Sequence, residues 1–209
     1  MDQKKVIITI NRECGSGGGE IARLLAEKLG FKVYNRIMLE EVAKQFDITP
    51  EAMDRIKAKK NVWWDDFCRF YQGFGAASYN PGEKPEATPM TLYYAEARLL
   101  RELAEEESCI IIGRAAFNIF RDDPNAFHVL IMADRDKRIA RIAKKQNLSN
   151  EEAAKVIDRI DKERDTFVNN VASTSRFDAH NYDIVLNVTD IEPGKAVDFL
   201  CEIIQNRFA

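Results

Sequence analysis

Val6-Ile-Ile-Thr-Ile-Asn11, then Arg12-Glu-Cys-Gly-Ser-Gly-Gly-Gly19, then Glu20-Ile-Ala-Arg-Leu-Leu-Ala-Glu-Lys-Leu-Gly30 decides the fold of this chain. The first run is apolar and β-branched, the length of one buried strand. Ile21, Leu24, Leu25 and Leu29 recur at helical spacing, and Gly30 stops the helix. A strand that opens through glycines into a helix is suited to holding phosphate. Glycines let backbone N–H groups approach the oxygens, and the helix N-terminus adds partial positive charge. The loop candidates are therefore Gly15, Ser16, Gly17, Gly18 and Gly19, with Arg12 at the strand end.

Two phosphate-binding patterns compete for this loop. Gly17-x-Gly19-x-x-Ala22 fits the dinucleotide fingerprint, which implies an NAD-type oxidoreductase. Against it, five residues separate Asn11 from Gly17, and Tyr34-Asn35 stands where that fold expects an acid. A loop this long suits a P-loop better. Yet with Gly17 as the second glycine of G-x-x-x-x-G-K-[ST], Arg12 takes the first glycine, Gly18 the lysine and Gly19 the Ser/Thr.

Outward from the loop, strands alternate with helices. Phe31–Tyr34, Cys109–Ile112, Phe127–Met132 and Tyr182–Val188 read as strands. Helices are expected over Leu39–Phe46, from Pro50 with Thr49 as N-cap, over Met90–Glu107, over 135–145, over Ser149–Asn169 and over Pro193–Phe208. Ser149-x-x-Glu152 is a capping box. Five short strands between helices make an α/β protein with a mostly parallel sheet, read as one domain over 1–209. Ligands of such sheets sit at the carboxyl ends of the strands, here the loops after Asn11, Tyr34, Ile112 and Met132.

Composition narrows the class further. The 209 residues are 45% hydrophobic and 31% charged, as in a globular protein. A net charge of −3 discourages nucleic-acid binding. The apolar runs are far shorter than the ~20 residues of a membrane span. With no signal peptide read at the N-terminus, the expected location is cytoplasmic. Cys14, Cys68, Cys109 and Cys201 are widely spaced and read as reduced thiols. Only two histidines, His128 and His180, are present, which argues against zinc chemistry.

The order of several motifs resembles the cytidylate kinase-like branch of the P-loop nucleoside monophosphate kinases. The pieces are Ile8–Ile21, Leu25-Ala-Glu-Lys-Leu-Gly30 with Tyr34, Ile110-Ile-Ile-Gly-Arg114, Asp136-Lys-Arg-Ile-Ala-Arg141, Asp161-Lys-Glu-Arg164 and Tyr182-Asp-Ile-Val-Leu-Asn187. The match is weakest over 47–108. The resemblance implies a three-layer α/β/α fold, a helical insertion over 47–108 that binds the acceptor, and a basic lid over 145–170. It implies ATP- and Mg2+-dependent phosphoryl transfer to a small nucleotide, CMP being the leading acceptor. Such transfer needs in-line positioning and positive charge around the moving oxygens.

The family's Gly-Arg position falls on Arg114, which would hold the acceptor phosphate through its planar fork. Arg36 is a second acceptor-side candidate. Arg138 and Arg141 match an Arg-x-x-Arg near the nucleotide, in a segment with six basic residues and one acid between Arg135 and Lys145. A solvated basic face is the alternative. Arg159, Lys162 and Arg164 are expected to share a helix face and to close over the transferring phosphate. Intrahelical pairs with Asp158, Asp161 and Glu163 are the alternative there.

Two departures stand out: Gly18 replaces the P-loop lysine, and no acid follows Cys109–Ile112 to orient magnesium, which leaves Asp134 and Glu13 as candidates. Arg12, a lid cation or nothing fills the lysine's place, so a binding module without catalysis is the rival function. Seven of 20 aromatics lie between Trp63 and Tyr79 and half of the six prolines between Pro81 and Pro89, which reads as an insertion of an aromatic helical piece followed by a Pro-rich loop. The aromatic piece reads as a small helical core, a nucleobase-stacking surface or a homodimer face.

Overall fold

Strand β1 (Ile7–Arg12) is buried along all but its last residue, Thr9 and Asn11 included, and lies inside the sheet. The computed structural model describes residues 5–35 and 89–209. Around β1 are arranged β2 (Lys32–Tyr34), β3 (Cys109–Ile112), β4 (Ala126–Met132) and β5 (Ile184–Asn187), in the order β2-β3-β1-β4-β5. All described pairings are parallel, with Ile8 beside Ile110 and Phe127, and Ile10 beside Ile112 and Val129. Parallel strands share one carboxyl edge, so Arg12, Tyr34, Ile112, Met132 and Asn187 all end on it. The expected α/β class and parallel sheet are found.

The helices are α1 (Gly18–Leu29), α2 (Pro89–Glu106), α3 (Ala116–Ile119), α4 (Arg135–Gln146), α5 (Asn150–Ala172) and α6 (Pro193–Phe208). Strand residues alternate between faces. Ile8 and Ile10 join Ile21, Leu25, Ile131, Leu200 and Ile204 in the core under α1 and α6. Thr9 and Asn11 face the other way. Burying each of these Ile and Leu side chains contributes roughly 1.5–3 kcal/mol. A second cluster joins α4 to α5 through Ile142, Ala153 and Ile157, and reaches Cys14 in the glycine loop. Ser149 and Glu152 form the expected capping box at the start of α5.

The chain divides into two compact units, Met1–Asn35 with Ala104–Ala209, and Arg36–Leu103. The first carries all five strands. The helices expected over Leu39–Phe46 and from Pro50, Arg36, Cys68 and the aromatic run lie outside the described residues. Cys14, Cys109 and Cys201 are buried, unpaired thiols. No helix among the described residues is long and apolar enough to cross a membrane.

His128 is a buried titratable group on the same face of the sheet as Thr9. Its Nδ1 lies 2.8 Å from the Thr9 hydroxyl, and burial lowers its pKa despite an opposing pull from Asp183. The neutral imidazole is therefore favoured by folding. Stability is full above the unfolded-state value of about 6.5 and falls as pH drops through the lower folded-state value. Thermal unfolding from pH 7.5 to 5 is expected to show this loss, with a flatter profile in His128→Gln. An equally steep profile in that variant would assign the loss to other groups.

Candidate active site

Between β1 and α1 the chain turns through Glu13–Gly17. Gly15 (φ 80°) and Gly17 (φ 90°) supply left-handed conformations that other residues adopt only with strain. At Gly15 space matters too, because a Cβ would lie 2.8 Å from the Arg138 carbonyl oxygen. Ser16 is fully buried and stitches the turn: its hydroxyl donates to the Glu13 carbonyl (2.9 Å) and accepts from Gly18 N–H (3.3 Å). Among the described residues, the N–H groups of Gly15, Gly17 and Gly19 donate to no protein acceptor. Three uncommitted donors at the start of a helix form a concavity for an anion.

The loop's outer side is held by arginines. Arg138 donates to the Cys14 carbonyl (3.2 Å) and Arg141 to the Gly15 carbonyl (2.6 Å). Arg164 and Arg176 both donate to the Arg12 carbonyl, at 3.1 and 3.0 Å. In a trans peptide the carbonyl and the next N–H point opposite ways. Holding the Cys14 carbonyl outward therefore aims the Gly15 N–H inward.

Asp161 ties these groups together. One carboxylate oxygen accepts the Cys14 N–H (2.8 Å) and lies 3.2 Å from Arg176 and 3.5 Å from Arg164; the other accepts from Arg138 (2.7 Å). Arg176 is wholly buried, pairs also with Asp165, and stacks on Phe177 at 4.3 Å. Asn11 donates to the Tyr182 hydroxyl (2.8 Å), which donates to the Arg176 carbonyl (2.7 Å). Burial raises the Tyr182 pKa to about 12, so the phenol remains a donor. Burial also raises the pKa of the Cys14 thiol.

Across the carboxyl edge, β3 ends in Gly113, Arg114 and Ala115, with φ of 78°, 59° and 49°. The left-handed region costs a non-glycine residue roughly 1–2 kcal/mol. Hydrogen bonds from Ala116 N–H to Gly113 and from Asn118 N–H to Ala115 hold the turn as it enters α3. The Arg114 guanidinium stacks 4.6 Å above the Phe167 ring of α5. Strain of this kind, at a strand end beside a phosphate-type loop, points to function.

With this geometry in view, residues 7–190 match the profile described as the Cytidylate kinase-like family. The chain belongs to the cytidylate kinase-like family. A solved uncharacterized protein from Eubacterium ventriosum ATCC 27560 shares the fold at TM-score 0.71 and 24% identity, over 96% of this chain and 99% of that one. A sugar kinase from Janibacter sp. HTCC2649 superposes at TM-score 0.50 and 13% identity, over 97% and 95%. No curated protein sequence matches the chain. Membership supports a nucleotide kinase, a phosphotransferase with nucleotide and metal use in general.

Several sequence expectations for this family site are redrawn by the structure. Arg138 and Arg141 are no solvated face; they reach the loop, but by its carbonyls. Arg159, Lys162 and Arg164 do not share a face. Arg164 turns inward, whereas Arg159 is exposed and pairs with Glu163 at 3.2 Å, and Lys162 is exposed. The reason is spacing, since two residues on a helix are ~200° apart. Asp161, Arg176 and Asn11 were not singled out as site residues by sequence reasoning. Asn11 and Asp161 lie within the family-matched pieces; Arg176 follows α5 with no motif around it.

A protein-held magnesium does not fit the described side chains. Glu13 accepts the Ala133 N–H (3.0 Å) and faces Arg138 (3.5 Å), position 19 has no hydroxyl, and exposed Asp134 sits beside Asn187 at 3.5 Å. Among the described residues no three His, Cys, Asp or Glu side chains gather for a metal.

Asp161→Ala would strand three guanidiniums and the Cys14 N–H. It is expected to cost about 3 kcal/mol, near the lower end for breaking a buried pair because Asp161 keeps 15% exposure. Urea unfolding measures it, and Arg159→Ala, at an exposed pair, serves as the control with no resolvable change.

Proposed function

We propose that the chain is a nucleotide kinase that transfers a phosphoryl group from ATP to a nucleoside monophosphate, with CMP as the leading acceptor. The observation that carries this reading is the set of uncommitted N–H groups of Gly15, Gly17 and Gly19 at the start of α1, with the loop carbonyls turned to arginines. Such a cradle receives the donor's phosphates. Arg114, on the neighbouring strand end, is placed to grip the acceptor phosphate and draw it towards the loop. Cationic groups between the two stabilise charge on the transferring oxygens, and the protein's task is positioning rather than covalent chemistry. Any magnesium would come bound to the nucleotide rather than from a protein site, and would supply charge neutralisation at the phosphates.

A second reading has one specific observation behind it. Position 18, where a P-loop carries its lysine, is glycine, as in a module that binds nucleotide without turning it over. ADP release from ATP and magnesium, measured against CMP, dCMP, UMP, AMP and GMP with a no-acceptor control, separates the two. The kinase reading expects release with one acceptor and a fall of about a hundredfold or more in kcat/KM for Arg114→Ala. Unchanged turnover in that variant would remove Arg114 from the mechanism. Calorimetric ATP binding with no release across the panel would favour the binding module.

A further inference from the structure

Two departures from the P-loop pattern occur together here. Where G-x-x-x-x-G-K has glycine and lysine, this chain has Arg12 and Gly18. The structure shows why they belong together. Gly18 has no positive φ, so backbone conformation does not demand a glycine there. Space does: a Cβ at position 18 would lie 2.7 Å from the Arg12 Cβ and 3.2 Å from both the Arg12 Cγ and the Ile131 Cβ. The neighbouring Gly19 is open, with nothing within 4 Å of the same test position. Strand alternation puts Arg12 on the same face as Ile8 and Ile10, under α1. Its stem therefore occupies the space that a side chain on residue 18 would need.

The other end of Arg12 reaches the neighbouring strand end. A Cβ on Gly113 would collide with Nη1 of Arg12, so the guanidinium lies at the turn that presents Arg114. Arg12 thus runs from the base of the glycine loop to the acceptor-side turn. Its charge is also uncommitted. Arg138, Arg141, Arg164 and Arg176 all donate to protein acceptors. The Arg12 guanidinium has no hydrogen bond or ion pair among the described residues.

Burial, then the like charges of Arg164 and Arg176 and, least, Arg114 lower the pKa of Arg12 to about 9, with Cys14 pulling the other way. A desolvated cation amid cations is unfavourable until an anion joins it.

We propose that Arg12 supplies, from strand β1, the phosphate-binding cation that a P-loop otherwise takes from the first turn of its helix, and that Gly18 is the space this exchange requires. The ligand is the terminal phosphate of a nucleoside di- or triphosphate. This rests on the kinase reading for its role in turnover, but it is testable by binding alone.

The experiment measures ATP and AMP affinity by calorimetry in EDTA, so that no metal charge contributes, with ADP release measured separately. Arg12→Met keeps the stem and removes the charge. It is expected to weaken ATP binding about ten- to a hundredfold, the usual worth of a charged hydrogen bond, while AMP changes little. Gly18→Lys alone is expected to lose ATP affinity, because the space is filled.

The double variant Arg12→Gly with Gly18→Lys restores the usual pattern and is expected to recover most of the ATP affinity that Arg12→Met loses. Thermal unfolding establishes that each variant is folded. Wild-type ATP affinity in Arg12→Met, or a folded double variant no better than Arg12→Met, would overturn the inference. Normal turnover in Arg12→Met would overturn it and leave the kinase reading standing. Wild-type protein that binds ATP but releases no ADP, with the binding pattern as expected, would support Arg12 as the phosphate cation and remove the kinase reading. Wild-type protein that binds no nucleotide would overturn both.

Discussion

The carboxylate of Asp161 is the constraint on which the loop geometry depends. It meets one backbone N–H of the loop and three guanidiniums, from Arg138, Arg164 and Arg176. Those arginines in turn hold the carbonyls of Arg12 and Cys14. Without a central anion, so many cations would repel one another in a poorly solvated place. One negative charge lets them act together as a clamp on the outside of the turn. The inside is then left with N–H groups that meet no protein acceptor among the described residues.

The charge balance also divides the arginines by task. Those paired with Asp161, or with a loop carbonyl, are spent on shape. Arg12 and Arg114 stand at the carboxyl ends of β1 and β3, which run side by side through the Ile10–Ile112 register. Arg114 is displayed by a turn with three successive left-handed residues, held by α3. A parallel sheet makes this division natural, because each strand delivers its terminal residue to the same edge and its helix returns behind.

Much of the fold was legible because the signals were local. Cys109–Ile112 and Pro193–Phe208 fall where an apolar run and a helix-starting proline put them, and the Ser149–Glu152 box marks the start of α5. The glycine loop was legible from its strand–loop–helix setting. The four-residue α3 was not, since it is too short to show a period and is set by the turn before it. The roles of Asp161 and Arg176 were equally hidden. Both depend on contacts with the loop that no spacing along the chain encodes, and the Asp161–Arg164 pair on one helix looks like an ordinary surface pair until the fold brings the loop beside it.

The distances along the chain between these partners have a consequence for how the protein comes to be. Cys14 meets Asp161 across 147 positions, and Arg12 meets Arg176 across 164. Contacts so remote in sequence carry a large loop-closure cost and cannot form until both partners have been synthesised. A chain emerging from the ribosome therefore displays its glycine loop early but without the groups that shape it. The held geometry of the loop becomes complete only when residue 176 has been added and packed, so a fragment ending before α5 carries the recognisable motif without its geometry.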